Sequence, residues 1–299
     1  MSAITISHLT KRYGPVLAVD DLSFDVHPGK VTGFLGPNGS GKTTTLRILL
    51  GLADPTSGSA RIGGLTYRHL HDPVRQVGAA LDSNTFHPGR AAAEHLKIIA
   101  TATGLPHRRA AEVLDLVGLA SVADRRVGGF SLGMRQRLSL AGALLGDPAV
   151  LVLDEPLNGL DPEGIRWIRG LLRSLAAEGR TVLVSSHLLS EVAQTVDDVV
   201  VLSKGHAIAE TTLSELVERS SVIRARTTDA TRLVDVLLAA GIQVRLVDGG
   251  TVEARGTDAA VIGLAAAGAG LPIFELSRHD QDLETLFFDL VHDTQEVAA

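Results

Sequence analysis

The chain has 299 residues, and its 28 lysines and arginines against 34 aspartates and glutamates give a formal net charge of −6. Hydrophobic residues make up 45% and charged residues 21%, a composition typical of globular proteins and far from that of disordered chains. The mildly acidic balance argues against DNA binding through bulk attraction to phosphate. The sequence contains no cysteine, which excludes disulfides, thiolate metal sites and cysteine nucleophiles.

The sequence offers no membrane-spanning segment, because a bilayer requires about 20 apolar residues in succession and the apolar stretches here are interrupted sooner. The N-terminus also lacks the basic start and apolar run of a signal peptide. We therefore expect a cytoplasmic protein that reaches a membrane only through another polypeptide.

The N-terminal part begins with two short segments, 4–9 and 22–26, whose patterns predict antiparallel strands. A continuous apolar run at 31–35, bounded by turn residues, predicts a buried strand, and a helical pattern follows it at 43–50. From about residue 84 to 146 the pattern is mostly helical. This stretch predicts a helical insertion into an α/β body.

Strand and helix patterns alternate again after the insertion. Apolar runs predict buried strands at 150–153 and 181–185, and helical patterns follow at 163–177 and 188–195. The alternation predicts an α/β fold with a largely parallel central sheet.

Past residue 219 the predicted elements follow the order β-α-β-β-α-β, which is typical of a ferredoxin-like unit. Strands are predicted at 221–227, 243–247, 251–255 and 272–276, with helices at 231–240 and 258–267 and a last amphipathic helix at 281–293. We expect a first domain over 1–219 and a small accessory α+β domain over 220–299. Arginines of this second domain alternate with apolar residues, as on the solvated face of a sheet, and we favour packing or partner contact over ligand sensing.

The sequence GPNGSGKT at 36–43 has the form G-x-x-x-x-G-K-[ST] and lies between a predicted strand and a predicted helix. Glycines in such a loop let backbone N–H groups turn inward towards phosphate oxygens. We predict that Lys42 reaches the β- and γ-phosphates, that the Thr43 hydroxyl binds Mg²⁺, and that the helix start faces the anion. The predicted nucleotide-binding residues of this loop are Gly36, Pro37, Asn38, Gly39, Ser40, Gly41, Lys42, Thr43 and Thr44.

Asp154 and Glu155 follow the strand at 150–153 on its C-terminal side, where open α/β sheets bind their ligands. Asp154 suits a place in the Mg²⁺ shell, and Glu155 is placed to polarise an attacking water as general base. His187 ends the strand that starts at 181, so we expect it on the same edge, donating a hydrogen bond to the γ-phosphate. Lys42, Glu155 and His187 are therefore the candidate catalytic residues.

These motifs, in this order, resemble the ATP-binding subunits of ATP-binding cassette (ABC) transporters over about the first 215 residues. Within the resemblance Tyr13 matches the aromatic residue on which adenine stacks. Ser131 and Gly133, in the sequence FSLGM, match signature residues that face a γ-phosphate, and Asp161 lies in the D-loop, NGLD. The resemblance implies an ATPase that binds ATP and Mg²⁺, with a P-loop NTPase core, an antiparallel β subdomain and a helical subdomain.

Two positions depart from the family pattern. Leu132 stands where the first glycine of the signature normally lies, and Met134 replaces a glutamine, so we expect Leu132 to limit the approach of the facing loop. Asp82 follows a predicted strand at 76–81, where the family places a glutamine. A carboxylate there resembles the branch of antibiotic-resistance and lantibiotic-immunity exporters. Asp82 is a candidate ligand of Mg²⁺ or water, with a turn or cap residue as the alternative.

The resemblance implies two partners and a location. A second ABC subunit, forming a homodimer, completes each ATP site, and a separate transmembrane permease holds the protein at the inner face of the cell membrane. Export is favoured over import, and no nucleic-acid partner is expected. The alternatives are a non-transport ABC ATPase acting on ribosomes or DNA, another P-loop NTPase, and a nucleotide-dependent regulator. The chain has one cassette and no long coiled coil, which argues against the ribosome- or DNA-associated ATPase. The signature and the D-loop argue against another P-loop NTPase. A measurement of ATP turnover distinguishes the regulator from an ATPase.

Overall fold

The computed structural model describes residues 3–81, 86–280, 284, 285 and 287. The chain divides into two compact units after Thr211. The domain boundary predicted between residues 219 and 220 falls inside a helix, Leu213–Ser220, at the start of the second unit. No helix among the described residues is long and apolar enough to cross a membrane.

The first unit contains most of the regular structure. Its strands are β1 Ile4–Tyr13, β2 Val16–Val26, β3 Val31–Leu35, β4 Ser57–Ile62, β5 Val77–Ala80, β6 Val150–Leu153, β7 Thr181–Ser186, β8 Asp198–Ser203 and β9 His206–Thr212. Its helices are α1 Lys42–Leu49, α2 Pro73–Gln76, α3 Ala92–Ala102, α4 Arg108–Leu116, α5 Leu132–Leu144, α6 Pro162–Ala177 and α7 Leu189–Val192.

A six-stranded sheet with the order β5-β6-β7-β3-β8-β9 forms the centre of the first unit. Along this order, each strand from β5 to β8 pairs in parallel with the next one. Strands β3, β6 and β7 are buried at every position. Burial of these strands explains their continuous apolar runs. Because their carboxyl ends meet at one edge, Gly36, Asp154 and His187 follow three neighbouring strands at the same edge.

The predicted antiparallel strands at 4–9 and 22–26 are confirmed, and both are longer than predicted. Strands β1, β2 and β4 form a three-stranded antiparallel sheet in the order β2-β1-β4. Register shifts interrupt the pairing of β1 with β2, and His8 and Asp21 have φ of 48° and 45°. Such irregularities break the alternation of inward and outward side chains. The sequence pattern therefore did not predict how far these strands continue.

The helical insertion predicted over 84–146 contains α3, α4 and α5. The three helices contact one another, and Leu96, Val113 and Leu138, one on each helix, are fully or almost fully buried. Asp82, predicted as a ligand, lies outside the described residues.

The second unit begins with α8 Leu213–Ser220 and then has β10 Ser221–Thr227, α9 Ala230–Ala239, β11 Gln243–Asp248, β12 Thr251–Arg255, α10 Ala259–Gly268 and β13 Ile273–Asp280. The four strands are antiparallel in the order β11-β12-β10-β13, which is the ferredoxin-like topology. Helices α9 and α10 cover the apolar face of this sheet. The helix predicted at 281–293 lies outside the described residues except for Glu284, Thr285 and Phe287, which are helical.

Candidate functional site

The loop between β3 and α1 is so tightly packed that two of its glycines leave no room for a side chain. A Cβ atom on Gly36 would lie 2.4 Å from the Ser40 Oγ and 2.7 Å from the Leu202 carbonyl oxygen. A Cβ on Gly41, whose φ is 107°, would lie 2.5 Å from the carbonyl oxygen of Ala18. The glycine spacing of the motif is therefore a packing requirement, and it fixes the path of the loop.

Lys42 is buried, at 6% exposure, and its ammonium group lies against this loop. The Lys42 Nζ donates hydrogen bonds to the carbonyl oxygens of Gly36 at 2.6 Å and Pro37 at 3.3 Å, and it lies 3.6 Å from Glu155 Oε1. Burial lowers the pKa of Lys42, although the carboxylates of Glu155 and Asp154 act in the opposite direction. The lysine thus offers a largely desolvated positive charge at the mouth of the loop.

The side chains of Thr43 and Asp154 meet across the start of α1 and the end of β6. The Thr43 Oγ1 donates to Asp154 Oδ2 at 2.8 Å. The other Asp154 oxygen accepts a hydrogen bond from the hydroxyl of Ser185, which is fully buried in β7. A hydroxyl and a carboxylate in contact offer oxygen donors of the type that Mg²⁺ prefers.

Glu155 is held from three sides. Its backbone N–H donates to Ser185 Oγ at 2.9 Å, and its Oε2 lies 2.9 Å from His187 Nδ1 and accepts from Asn158 Nδ2 at 3.4 Å. Its φ of 49° is uncommon for a residue with a side chain, and such strain recurs at functional sites. The predicted residues Lys42, Asp154, Glu155 and His187 therefore come together. Sequence analysis missed Ser185 and Asn158, which orient two of them.

The signature residues and the D-loop lie together at a second place in the first unit. Ser131 caps α5 by accepting from Met134 N at 3.2 Å, and Asp161 caps α6 by accepting from Gly164 N at 2.7 Å. Ser131, Gly133 and Asp161 line one cavity of about 360 Å³. Among the residues that the structure describes, that lining includes none of loop 36–44, so one chain brings the predicted residues together as two separate groups.

Tyr13 ends β1 in a hairpin whose second strand reaches loop 36–44. Its ring is 47% exposed, and Lys11 Nζ lies 4.7 Å from the ring centroid. Tyr13 pairs with Val16, and two residues further along the carbonyl of Ala18 lies against Gly41. The hairpin thus carries a half-exposed aromatic ring on the same pair of strands that reaches the loop.

Comparison with known proteins decides the family. Residues 19–158 match the family model described as ABC transporter, and residues 221–284 match a model of a domain of unknown function. The bacitracin transport ATP-binding protein BcrA of Bacillus licheniformis is 44% identical over 220 residues, which are 73% of this chain and 72% of BcrA. The chain belongs to the ABC transporter ATP-binding proteins.

Further similarities agree with this membership in the ABC family. The lantibiotic transport ATP-binding protein SrtF of Streptococcus pyogenes is 36% identical over 207 residues, 69% of this chain and 90% of SrtF. A dimeric ATP-binding cassette in a post-hydrolysis state, bound to ADP and Pi, superposes with a TM-score of 0.63 at 25% identity, covering 70% of this chain and 98% of that one. The ABC protein described here is therefore a nucleotide-binding ATPase subunit, in the antibiotic and lantibiotic branch predicted from its sequence.

Proposed function

We propose that this ABC subunit hydrolyses ATP with Mg²⁺ at the edge of the sheet where β3, β6 and β7 end, and that hydrolysis drives a separate permease in export. The convergence of Lys42, Asp154, Glu155 and His187 at that edge carries the proposal. Chemically, the four residues supply a phosphate-binding cation, a metal ligand, a base and a hydrogen-bond donor.

The nucleotide phosphates bind in the loop 36–44, where backbone N–H groups and the start of α1 face the anion. Lys42 exchanges its hydrogen bonds to Gly36 and Pro37 for the β- and γ-phosphate oxygens. Thr43 and Asp154 hold Mg²⁺ through their side-chain oxygens, since they already lie in contact. The metal, when bound, neutralises phosphate charge.

Glu155 acts as the general base for the attacking water, because its carboxylate lies beside the lysine that holds the phosphates. His187 contacts Glu155 through Nδ1, which leaves Nε2 as the ring nitrogen that faces the γ-phosphate. The ring donates to both acceptors in the form that carries a proton on each nitrogen. Asn158 steadies the carboxylate at Oε2, the same oxygen that contacts His187.

Two copies of the chain form the complete enzyme in this proposal. Ser131 and Gly133 of one copy close over the γ-phosphate of the other, with Asp161 beside them, because these residues line a cavity apart from the loop of their own chain. Tyr13 stacks on adenine. The dimer found for a related cassette supports this arrangement.

A transmembrane permease is the second partner, and it places the subunit at the inner face of the membrane. The relatives named for bacitracin and lantibiotic transport support an export system whose membrane part is a separate chain. We assign the nucleotide-binding domain to residues 1–219 and the accessory domain to 220–299.

The test compares the purified protein with its Glu155→Gln variant. The amide oxygen still accepts the hydrogen bond from Asn158, but the amide cannot accept a proton, so ATP turnover is expected to fall by about 10²–10⁴-fold. ATP binding survives in the variant, and Mg-ATP converts it into a dimer that light scattering detects, whereas ADP does not. Parental turnover in the variant removes Glu155 as the base. A protein that binds ATP without hydrolysing it is the nucleotide-dependent regulator instead.

A further inference from the structure

The side chain of Leu132, the residue that departs from the family signature, lies on Gly159 of the D-loop in the same chain. A Cβ atom placed on Gly159 would lie 2.1 Å from Leu132 Cδ2 and 3.2 Å from its Cγ. Leu132 therefore occupies the space that any side chain at position 159 would need. Gly159 also has a φ of 71°, which favours glycine independently of this contact.

Two further contacts join the same segments within one chain. A Cβ on Gly133 would lie 3.3 Å from Leu160 Cδ2, which places the first turn of α5 against the D-loop. One turn later, the amide of Gln136 donates to the carbonyl oxygen of Asn158 at 3.5 Å. The N-terminal part of α5 and residues 158–160 thus form one continuous contact, with Leu132 at its exposed end.

This contact continues to the predicted base. Asn158 donates through Nδ2 to Glu155 Oε2 at 3.4 Å, and its backbone N–H donates to the Glu155 carbonyl oxygen at 3.2 Å. A displacement of the D-loop therefore displaces a hydrogen-bond donor of Glu155. Leu132, Gly159, Asn158 and Glu155 form an unbroken series of contacts from the signature helix to the carboxylate.

We propose that Leu132 is a positioning residue, which holds the D-loop of its own chain against α5 and so orients Glu155 through Asn158. The inference rests on the proposed role of Glu155 as base. A glycine at position 132 has no side chain with which to make this contact. The signature helix and the D-loop consequently move as one body when the dimer closes.

A double-mutant cycle tests the proposal, using Leu132→Ala, Gly159→Ala and the protein that carries both. Leu132→Ala removes the atoms that touch Gly159 and keeps a helix-forming residue at the start of α5. Gly159→Ala displaces the flexible end of Leu132 and also strains the backbone. The control for that strain is Gly104→Ala, because Gly104 has a similar φ of 68° with no atom within 4 Å of a Cβ.

Each single substitution is expected to lower kcat by about two- to tenfold, with KM for ATP nearly unchanged. The unfolding temperature is nearly unchanged in Leu132→Ala and falls in Gly159→Ala, as it does in Gly104→Ala, because both glycines have a positive φ. In the doubly substituted protein, kcat falls by less than the product of the two single decreases, because both substitutions disturb the same contact. Leu132→Met retains kcat within about twofold, since its long side chain still covers Gly159. Gly104→Ala leaves kcat as in the parent.

Amide hydrogen exchange of residues 157–161, measured by mass spectrometry, reports on the contact between Leu132 and Gly159 independently of ATP hydrolysis. We expect Leu132→Ala to speed exchange in this segment and Leu132→Met to leave it unchanged. Unaltered exchange in Leu132→Ala, or losses of kcat that multiply in the double variant, overturns the proposal. A parent protein without ATP turnover contradicts the proposed function instead, and the exchange result then decides the contact alone.

Discussion

Glu155 and His187 are 32 positions apart in the sequence, yet His187 Nδ1 lies 2.9 Å from Glu155 Oε2. The two residues meet because they follow β6 and β7, which are neighbours with parallel register in the central sheet. The same carboxylate lies 3.6 Å from the buried Lys42 ammonium. The edge of the sheet and the loop before α1 thus bring together a predicted base, a predicted donor and a predicted phosphate-binding cation.

The first prediction concerns His187. If its Nε2 donates to the γ-phosphate, His187→Ala removes a hydrogen bond that strengthens as charge develops, and kcat falls by about 10²–10³-fold. ATP affinity changes much less, because the loop and Lys42 bind the remaining phosphates. The measurement is steady-state turnover together with titration of a fluorescent ATP analogue.

The control for this substitution is His206→Ala. His206 also lies beside a carboxylate, with Nε2 3.3 Å from Asp20 Oδ2, but its side chain is half exposed and pairs with a residue that is not one of the predicted site residues. Its removal leaves turnover as in the parent. Equal losses in the two variants would show that the effect of His187→Ala is not specific to the site.

The second prediction concerns Lys42→Met, which keeps the length and apolar stem of the side chain and removes its charge. Loss of charge-assisted hydrogen bonds to phosphate is expected to weaken ATP binding by at least about 10-fold. The unfolding temperature without nucleotide changes little, because the loss of the hydrogen bonds to the Gly36 and Pro37 carbonyl oxygens is offset by removal of a charge that burial disfavours, as the lowered pKa of Lys42 indicates. Calorimetric titration and thermal unfolding measure the two effects. A large loss of stability would show that Lys42 has a structural role in the loop.

The third prediction concerns the exposed ring of Tyr13. Stacking on adenine is worth about 1–3 kcal/mol by comparison with other base–aromatic contacts, so Tyr13→Ala weakens ATP binding by that amount. Tyr13→Phe retains the affinity, because the ring face and not the hydroxyl makes the contact. Equal affinity of Tyr13→Ala and the parent would contradict stacking, and a loss in Tyr13→Phe would assign the effect to the hydroxyl.

The sequence predicted which edge of the sheet holds the candidate site, because that prediction depends on topology. Apolar runs identify buried parallel strands, and residues that follow such strands share an edge, so the pattern alone places Lys42, Asp154 and His187 together. Ser185 was not predicted, since a serine inside a buried strand carries no pattern that says its hydroxyl reaches Asp154 and Glu155. Side-chain direction and register decide that role, and both come from tertiary packing.

The same limit applies to Leu132 and to the second unit. The sequence showed that Leu132 departs from the family signature and related it to a facing loop, whereas the contact seen within one chain is with Gly159. In the second unit the alternating arginines indicated a solvated face. They did not indicate that two of them, Arg224 and Arg245, hold the buried Glu253.

The fourth prediction concerns this Glu253 carboxylate, whose side chain is 9% exposed on the polar face of the second sheet. It accepts hydrogen bonds from Arg224 Nη2 at 2.6 Å and Arg245 Nη2 at 2.8 Å. Burial by itself raises the pKa of Glu253, but these hydrogen bonds and the arginine charges outweigh it, so the pKa lies below its ordinary value. Glu253→Gln is therefore expected to lower the free energy of unfolding by about 1–3 kcal/mol at neutral pH.

The pH dependence of unfolding and a matched control variant distinguish loss of this ion pair from a general loss of packing. Because the pKa of Glu253 is lower in the folded than in the unfolded state, its stabilisation is complete above the ordinary glutamate pKa of about 4.3 and disappears as pH falls through the folded-state value. The unfolding curves of parent and Glu253→Gln should therefore converge in acid. Glu275→Gln is the control, since Glu275 is half exposed and 4.0 Å from Arg226, a surface pair worth about 0–1 kcal/mol. A difference between parent and Glu253→Gln that stays constant from neutral pH down to about pH 3 would assign the loss to packing and contradict the charge-based account.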